Sequence, residues 1–176
     1  TVTPMALLEP LAHPWLSGVF APVVDELSSS DLRITGTLPS GLRGAFVRNG
    51  PNPAVPPAGK YHLFDGDGMV HGLFFDGEGG ARYANRWIRS AGMEAELAAG
   101  HALFGGLSEF RLPPPEIMST IGPVKNTANT AVVHHAGRLL ALMEACPPIE
   151  LTDELETVGP YDFGGALKGA MTAHPK

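Results

Sequence analysis

The chain has 176 residues, 44% of them hydrophobic, and a formal net charge of −6. That length and apolar share suit one globular domain with a sizeable core rather than a disordered chain, and the scattered basic residues lack the clustered cationic face that nucleic acid requires. The single cysteine, Cys146, excludes an intramolecular disulfide framework, and no apolar run reaches the roughly 18 residues of a membrane span.

Residues 1–32 read as an extended arm. Pro4, Pro10, Pro14 and Pro22 interrupt any helix there, and Trp15 and Phe20 are expected to pin the arm to a larger body. No basic segment followed by an apolar one opens the chain, so no secretory signal is expected.

From Leu32 the pattern is short strand, turn, short strand. Residues 32–38 alternate with period two and predict a strand. Residues 45–48 predict a second, stopped by Asn49-Gly50-Pro51-Asn52-Pro53. Residues 69–75 and 81–88 predict a hairpin, joined through Asp76-Gly77-Glu78-Gly79-Gly80. Residues 91–104, rich in Ala, Glu, Leu and Met, are the best helix candidate.

Residues 104–121 are apolar but broken by Gly105-Gly106 and Pro113-Pro114-Pro115, which predicts an irregular excursion with short helical turns. Residues 130–135 and 138–144 predict a second hairpin around Ala136-Gly137. Residues 151–155 read as a short helix or turn, and residues 171–174 as the start of another strand. Hairpins at this spacing predict an all-β propeller or barrel, with room for three or four blades of roughly 40–45 residues each.

Most polar motifs have a plain structural reading. Asp65-Gly66-Asp67-Gly68 opens like a calcium loop, but Met69 and Val70 break the pattern; a tight acidic turn closing a hairpin is expected instead. Gly77-Glu78-Gly79-Gly80 lacks phosphate-loop spacing and reads as a turn. His134 and His135 are neighbours on a strand, so they face opposite ways and cannot share one metal. His62 and His71 flank the acidic turn and are a weak candidate metal pair. Cys146, followed by two prolines, is expected to be a buried, inert thiol.

Four longer strings carry a more specific signal. Residues 38–53 (Leu-Pro-Ser-Gly-Leu-Arg-Gly-Ala-Phe-Val-Arg-Asn-Gly-Pro-Asn-Pro) resemble the entry segment of the carotenoid cleavage oxygenases. Residues 61–71, residues 125–130 with 137–144, and residues 171–176 resemble further blocks of that family, in its order. The resemblance implies a seven-bladed β-propeller with a helical cap. This chain would supply the arm (1–32) and, over 33–176, the N-terminal part of a single propeller domain.

It also implies a non-haem iron(II) centre held by four histidines, with three glutamates orienting ligand imidazoles. His174 matches the first iron ligand. Glu144 matches the first orienting glutamate, which in the family serves a ligand histidine later in the chain. Thr130 matches a residue beside an open coordination position, where it would limit how solvent or oxygen approaches. Phe64 and Met143 match positions that line the substrate tunnel. The other three ligands fall beyond residue 176 in the family, in a remaining C-terminal part.

The implied reaction is oxidative cleavage by O2 of a conjugated C=C bond in an apolar carotenoid or apocarotenoid, giving two carbonyl products. Lignostilbene-type cleavage, retinoid isomerohydrolysis and a metal-free piece inactive alone are the alternatives. Hydroxystilbene-cleaving relatives carry Lys immediately before the orienting glutamate, where this chain has Met143; that favours the carotenoid. A cytoplasmic location is expected; Leu103, Phe104 and Leu107 are expected to pack the helical cap, with peripheral contact with a membrane surface as the alternative.

Overall fold

The computed structural model describes residues 13–176. Two four-stranded antiparallel sheets carry the fold. The first contains β1 (Ser28–Ser29), β2 (Arg43–Asn52), β3 (Asp67–Asp76) and β4 (Ala81–Trp87), in the order β1-β4-β3-β2. The second contains β5 (Ala131–His135), β6 (Arg138–Leu142), β7 (Ile149–Leu151) and β8 (Thr157–Pro160), in chain order. Between the sheets run α1 (Ala91–Ala99), an irregular stretch and α2 (Pro115–Thr120).

Both expected hairpins form. In the first, Asp76 Oδ1 accepts from the amides of Glu78 and Gly80, while Gly77 and Gly79 take positive φ. In the second, Ala136 and Gly137 both have positive φ, the two-residue turn whose twist matches the flanking strands.

Period two then sorts the core. On β6, Leu140 and Leu142 join a cluster with Ala173, while Ala141 joins Val70, Ala84, Ile149 and Leu155 between the sheets. On β3, Met69 packs with Trp87 and Met93, and Val70 faces the other way. Each fully buried Leu contributes roughly 1.5–3 kcal/mol relative to exposure.

Several expectations need correction. Residues 32–38 alternate but form no strand; only Ser28–Ser29 pairs with β4, and the Asp31 amide then bonds Ser29 Oγ. β2 does not stop at Asn49. It runs through Pro51 to Asn52, which is tolerated because β2 is an edge strand. α1 ends at Ala99 because Gly100 takes the left-handed cap. Residues 171–174 form no strand.

There are two sheets of blade size among the described residues, not three or four, because the stretch between β4 and β5 is spent on the helical excursion. Asp65-Gly66-Asp67-Gly68 closes no hairpin. Asp65 ends a short 3-10 turn capped by His62, and Asp67 begins β3.

Within the expected arm, residues 1–12, with Pro4 and Pro10, lie outside the described residues. The remainder is tied down by asparagine amides, rather than by Trp15 and Phe20, which stack on each other. Asn52 brackets the Val23 backbone, and Asn85 bonds the Leu27 amide and the Asp25 carbonyl. Trp15 and Phe20 stack edge to face and stay partly exposed.

Candidate functional site

The five residues singled out from the sequence meet at one end of the second sheet and the turn before β3. The Thr130 amide donates to the Leu142 carbonyl at 3.0 Å, which sets Thr130 beside Met143 and Glu144 where β6 ends. Glu144 Oε1 lies 3.6 Å from His174 Nε2. The packing of Ala173 under Leu140 and Leu142 holds that histidine near the strand end. Phe64, 62% exposed, sits on the 3-10 turn.

Asn129 joins this turn to the second sheet. Its Nδ2 donates to the Phe64 and Gly66 carbonyls at 2.8 and 2.6 Å, and its Oδ1 accepts from Thr130 Oγ1 at 3.1 Å.

The segment carrying Thr130 is clamped from the first sheet. Asn49 Nδ2 donates to the carbonyls of Ala128 and Ala131, and the Gly68 amide donates to the Thr127 carbonyl. Ala128, with φ +46, takes the left-handed region between them. The approach is close enough that a Cβ on Gly68 would lie 2.6 Å from the Ala128 oxygen. Gly68 is therefore fixed by backbone contact.

A charged triad supports the same region from the other side. Lys125 Nζ lies 2.9 Å from Asp67 Oδ1 and 2.7 Å from Glu96 Oε2, and both carboxylates are buried. The contact with Asp67 is an ion pair rather than a well-aimed hydrogen bond. Asp67 Oδ2 takes the Ala54 amide. Glu96 Oε1 takes the amides of Leu103 and Phe104, so the triad anchors the excursion to β3. Burial acts to lower the Lys125 pKa, but the Asp67 and Glu96 charges outweigh it and raise the value. Burial, with Asp65 and Asp67 adding to it, pushes the Tyr61 phenol up.

His62 and His71 are not a metal pair here: His62 Nδ1 accepts the Phe64 amide, and His71 Nδ1 bonds the Tyr83 hydroxyl at 2.8 Å. Burial, then the Arg48 charge, lowers the His71 pKa. Burial raises the Cys146 thiol pKa, as an inert role requires. Sequence reasoning missed Asn129 and the Lys125 triad; the only signal was a polar run, Lys125-Asn126-Thr127-Ala128-Asn129-Thr130, ahead of a strand.

Among the described residues, no group of three or more His, Cys, Asp or Glu converges as a metal centre requires. The chain offers one imidazole, His174, and one adjacent carboxylate, Glu144; these do not hold iron(II) by themselves. Among the described residues, one cleft is lined by Phe46, Tyr61 and His71 and another by Arg43, Phe74 and His134. Neither is lined by the five residues.

The family model described as retinal pigment epithelial membrane protein matches residues 20–176. A carotenoid cleavage oxygenase of Mycobacterium tuberculosis is 46% identical over 168 residues, covering 93% of this chain and 31% of that protein. A lignostilbene dioxygenase of Pseudomonas brassicacearum superposes with a TM-score of 0.82 at 36% identity, over 94% of this chain and 34% of that one. A cobalt-substituted apocarotenoid oxygenase of Synechocystis superposes with a TM-score of 0.75 at 32% identity, over 88% and 33%. The chain thus spans about a third of the length of these relatives.

Proposed function

Since the chain belongs to the retinal pigment epithelial membrane protein family, which includes the carotenoid cleavage oxygenases, we propose that it is the N-terminal part of a non-haem iron(II) dioxygenase acting on a carotenoid or apocarotenoid. Its fold is that of the family's capped seven-bladed propeller, of which it supplies the arm and the first blades. In the proposed reaction one conjugated C=C bond breaks and each carbon takes one atom of O2, leaving two carbonyl products.

The observation that carries this reading is the meeting of Phe64, Thr130, Met143, Glu144 and His174 at one end of the second sheet. His174 would give the metal one imidazole, with the other ligands drawn from the family length this chain does not span. Glu144 would orient a ligand imidazole. Its 3.6 Å contact with His174 leaves lone pairs for a second histidine. Phe64 and Met143 would wall an apolar tunnel that desolvates the polyene, and Thr130 would restrict the approach of oxygen and solvent.

Iron, when bound, supplies the binding and activation of O2 beside the alkene. The cobalt-substituted relative supports a metal-dependent reading. Cytoplasmic location and peripheral contact with a membrane that holds the substrate complete the proposal. The surface for that contact is Leu107, Phe110 and Leu112 on the excursion, exposed by 72%, 71% and 51%. Phe104 is buried and packs the interior instead.

The superposition on the lignostilbene dioxygenase favours stilbene cleavage as a second reading. The test is product analysis of the complete protein under 18O2, with a carotenoid, an apocarotenoid and a hydroxystilbene. Two labelled carbonyl fragments from a polyene are expected. Turnover of the stilbene alone moves the assignment to the second reading, and conversion without carbon–carbon scission sinks both.

A further inference from the structure

Asn129 is 5% exposed and uses its whole amide. Both Nδ2 hydrogens are spent on carbonyls, those of Phe64 and Gly66. Turning the amide over would aim an oxygen at two oxygens, so its orientation is fixed by the backbone of the 3-10 turn. Oδ1 is therefore presented to Thr130, whose Oγ1 donates to it at 3.1 Å.

Thr130 is exposed. A threonine hydroxyl at an exposed position would ordinarily turn among water partners and rotamers. Here the side chain is held by Asn129 and the backbone by Leu142. Phe64 is held at both of its peptide groups, by Asn129 at the carbonyl and by His62 Nδ1 at the amide. Asn129 itself cannot drift, because Asn49 and Gly68 hold the residues just before it.

We infer that Asn129 is a positioning residue: one buried amide that sets both the Thr130 hydroxyl and the Phe64 backbone from which the tunnel-lining ring projects. It touches neither substrate nor metal and acts through these two neighbours. The inference rests on the proposed oxygenase reading for its effect on turnover, but not for its effect on geometry.

The experiment uses the complete, metal-loaded protein with Asn129→Ala, Thr130→Val, Thr130→Ser and the Asn129→Ala/Thr130→Val double variant. A high-resolution crystal structure of Asn129→Ala is expected to show Thr130 in more than one χ1 rotamer. KM for O2 is expected to shift by about fivefold in both Asn129→Ala and Thr130→Val, the effect of one hydrogen bond. Thr130→Ser keeps the hydroxyl that donates to Asn129 and is expected to shift KM for O2 less than Thr130→Val does. The double variant is expected to shift KM for O2 no further than Thr130→Val alone. KM for the organic substrate is expected to rise in Asn129→Ala but not in Thr130→Val, because only the former frees Phe64.

A single unchanged Thr130 rotamer in Asn129→Ala overturns the inference, as do O2 effects that multiply in the double variant. If Asn129→Ala does not fold, the Thr130 variants decide: equal KM for O2 in Thr130→Val and wild type overturns it, and a shift in Thr130→Val larger than in Thr130→Ser supports it. If the wild type cleaves no polyene or stilbene, the oxygenase reading fails while the Thr130 rotamer still tests Asn129.

Discussion

Glu144 Oε1 and His174 Nε2 stand 3.6 Å apart, with both side chains more than half exposed. An exposed pair at that distance adds little stability, about 1 kcal/mol or less. A carboxylate that orients a metal-ligating imidazole, the role proposed for Glu144, does far more for the metal than for the fold. Glu144→Ala in the complete protein is therefore expected to lower iron occupancy or turnover by about 10–100-fold, with a thermal midpoint close to wild type. Metal analysis alongside calorimetry checks both halves. Normal iron content and rate would remove the role proposed for Glu144.

Lys125 is the opposite case, a buried cation between two buried carboxylates. Lys125→Met leaves Asp67 and Glu96 uncompensated and is expected to cost about 3–5 kcal/mol in urea unfolding at pH 7. Because its folded pKa is raised, the triad stabilises fully below the unfolded lysine value of about 10.4. That stability fades as pH rises through the folded value. The variant is expected to lose this alkaline limb; an unchanged limb would show that Lys125 does not set it.

His71 gives a pH dependence of the other sign. Its pKa is lowered, by burial first and then by Arg48, so the folded state prefers the neutral ring that bonds Tyr83. The contribution is fully present above the unfolded value of about 6.5 and is lost as pH falls through the folded value. An NMR titration is expected to place the His71 midpoint below 6.5, and His71→Gln is expected to flatten the acid limb of stability between pH 7 and 5. A His71 midpoint at or above that value contradicts the assignment.

The exposed excursion predicts membrane affinity. Seating Leu107 or Phe110 in a lipid surface is worth roughly 1.5–3 kcal/mol each. Leu107→Glu and Phe110→Glu are each expected to weaken cosedimentation of the complete protein with zwitterionic vesicles by at least about tenfold. Unchanged sedimentation would assign these side chains to protein packing instead.

The hairpins β3–β4 and β5–β6 were legible because their residues alternate and their turns contain the glycines that positive φ demands. The candidate site was legible through four strings of family resemblance. Residues 32–38 carry the same alternation without a partner strand, and alternation alone does not reveal whether a partner exists. Pro51 looked like a terminator because its place at a sheet edge is set by the fold, not by its neighbours. Asn129 bonds residues 63 and 65 positions away, and Lys125 reaches Glu96 29 positions back. Such partners cannot be read from a local window.

The amide of Asn49 reaches carbonyls 79 and 82 residues further along the chain. During synthesis β2 emerges before either partner exists, by about 4–16 s for 79–82 residues at typical elongation rates of about 5–20 residues per second. The first sheet must therefore wait with an open edge, since loop closure over such spans is a slow, late event. Fixing of the segment that holds Asn129 and Thr130 thus belongs to the docking of one sheet on the other, so the geometry proposed for chemistry matures only after both sheets have formed.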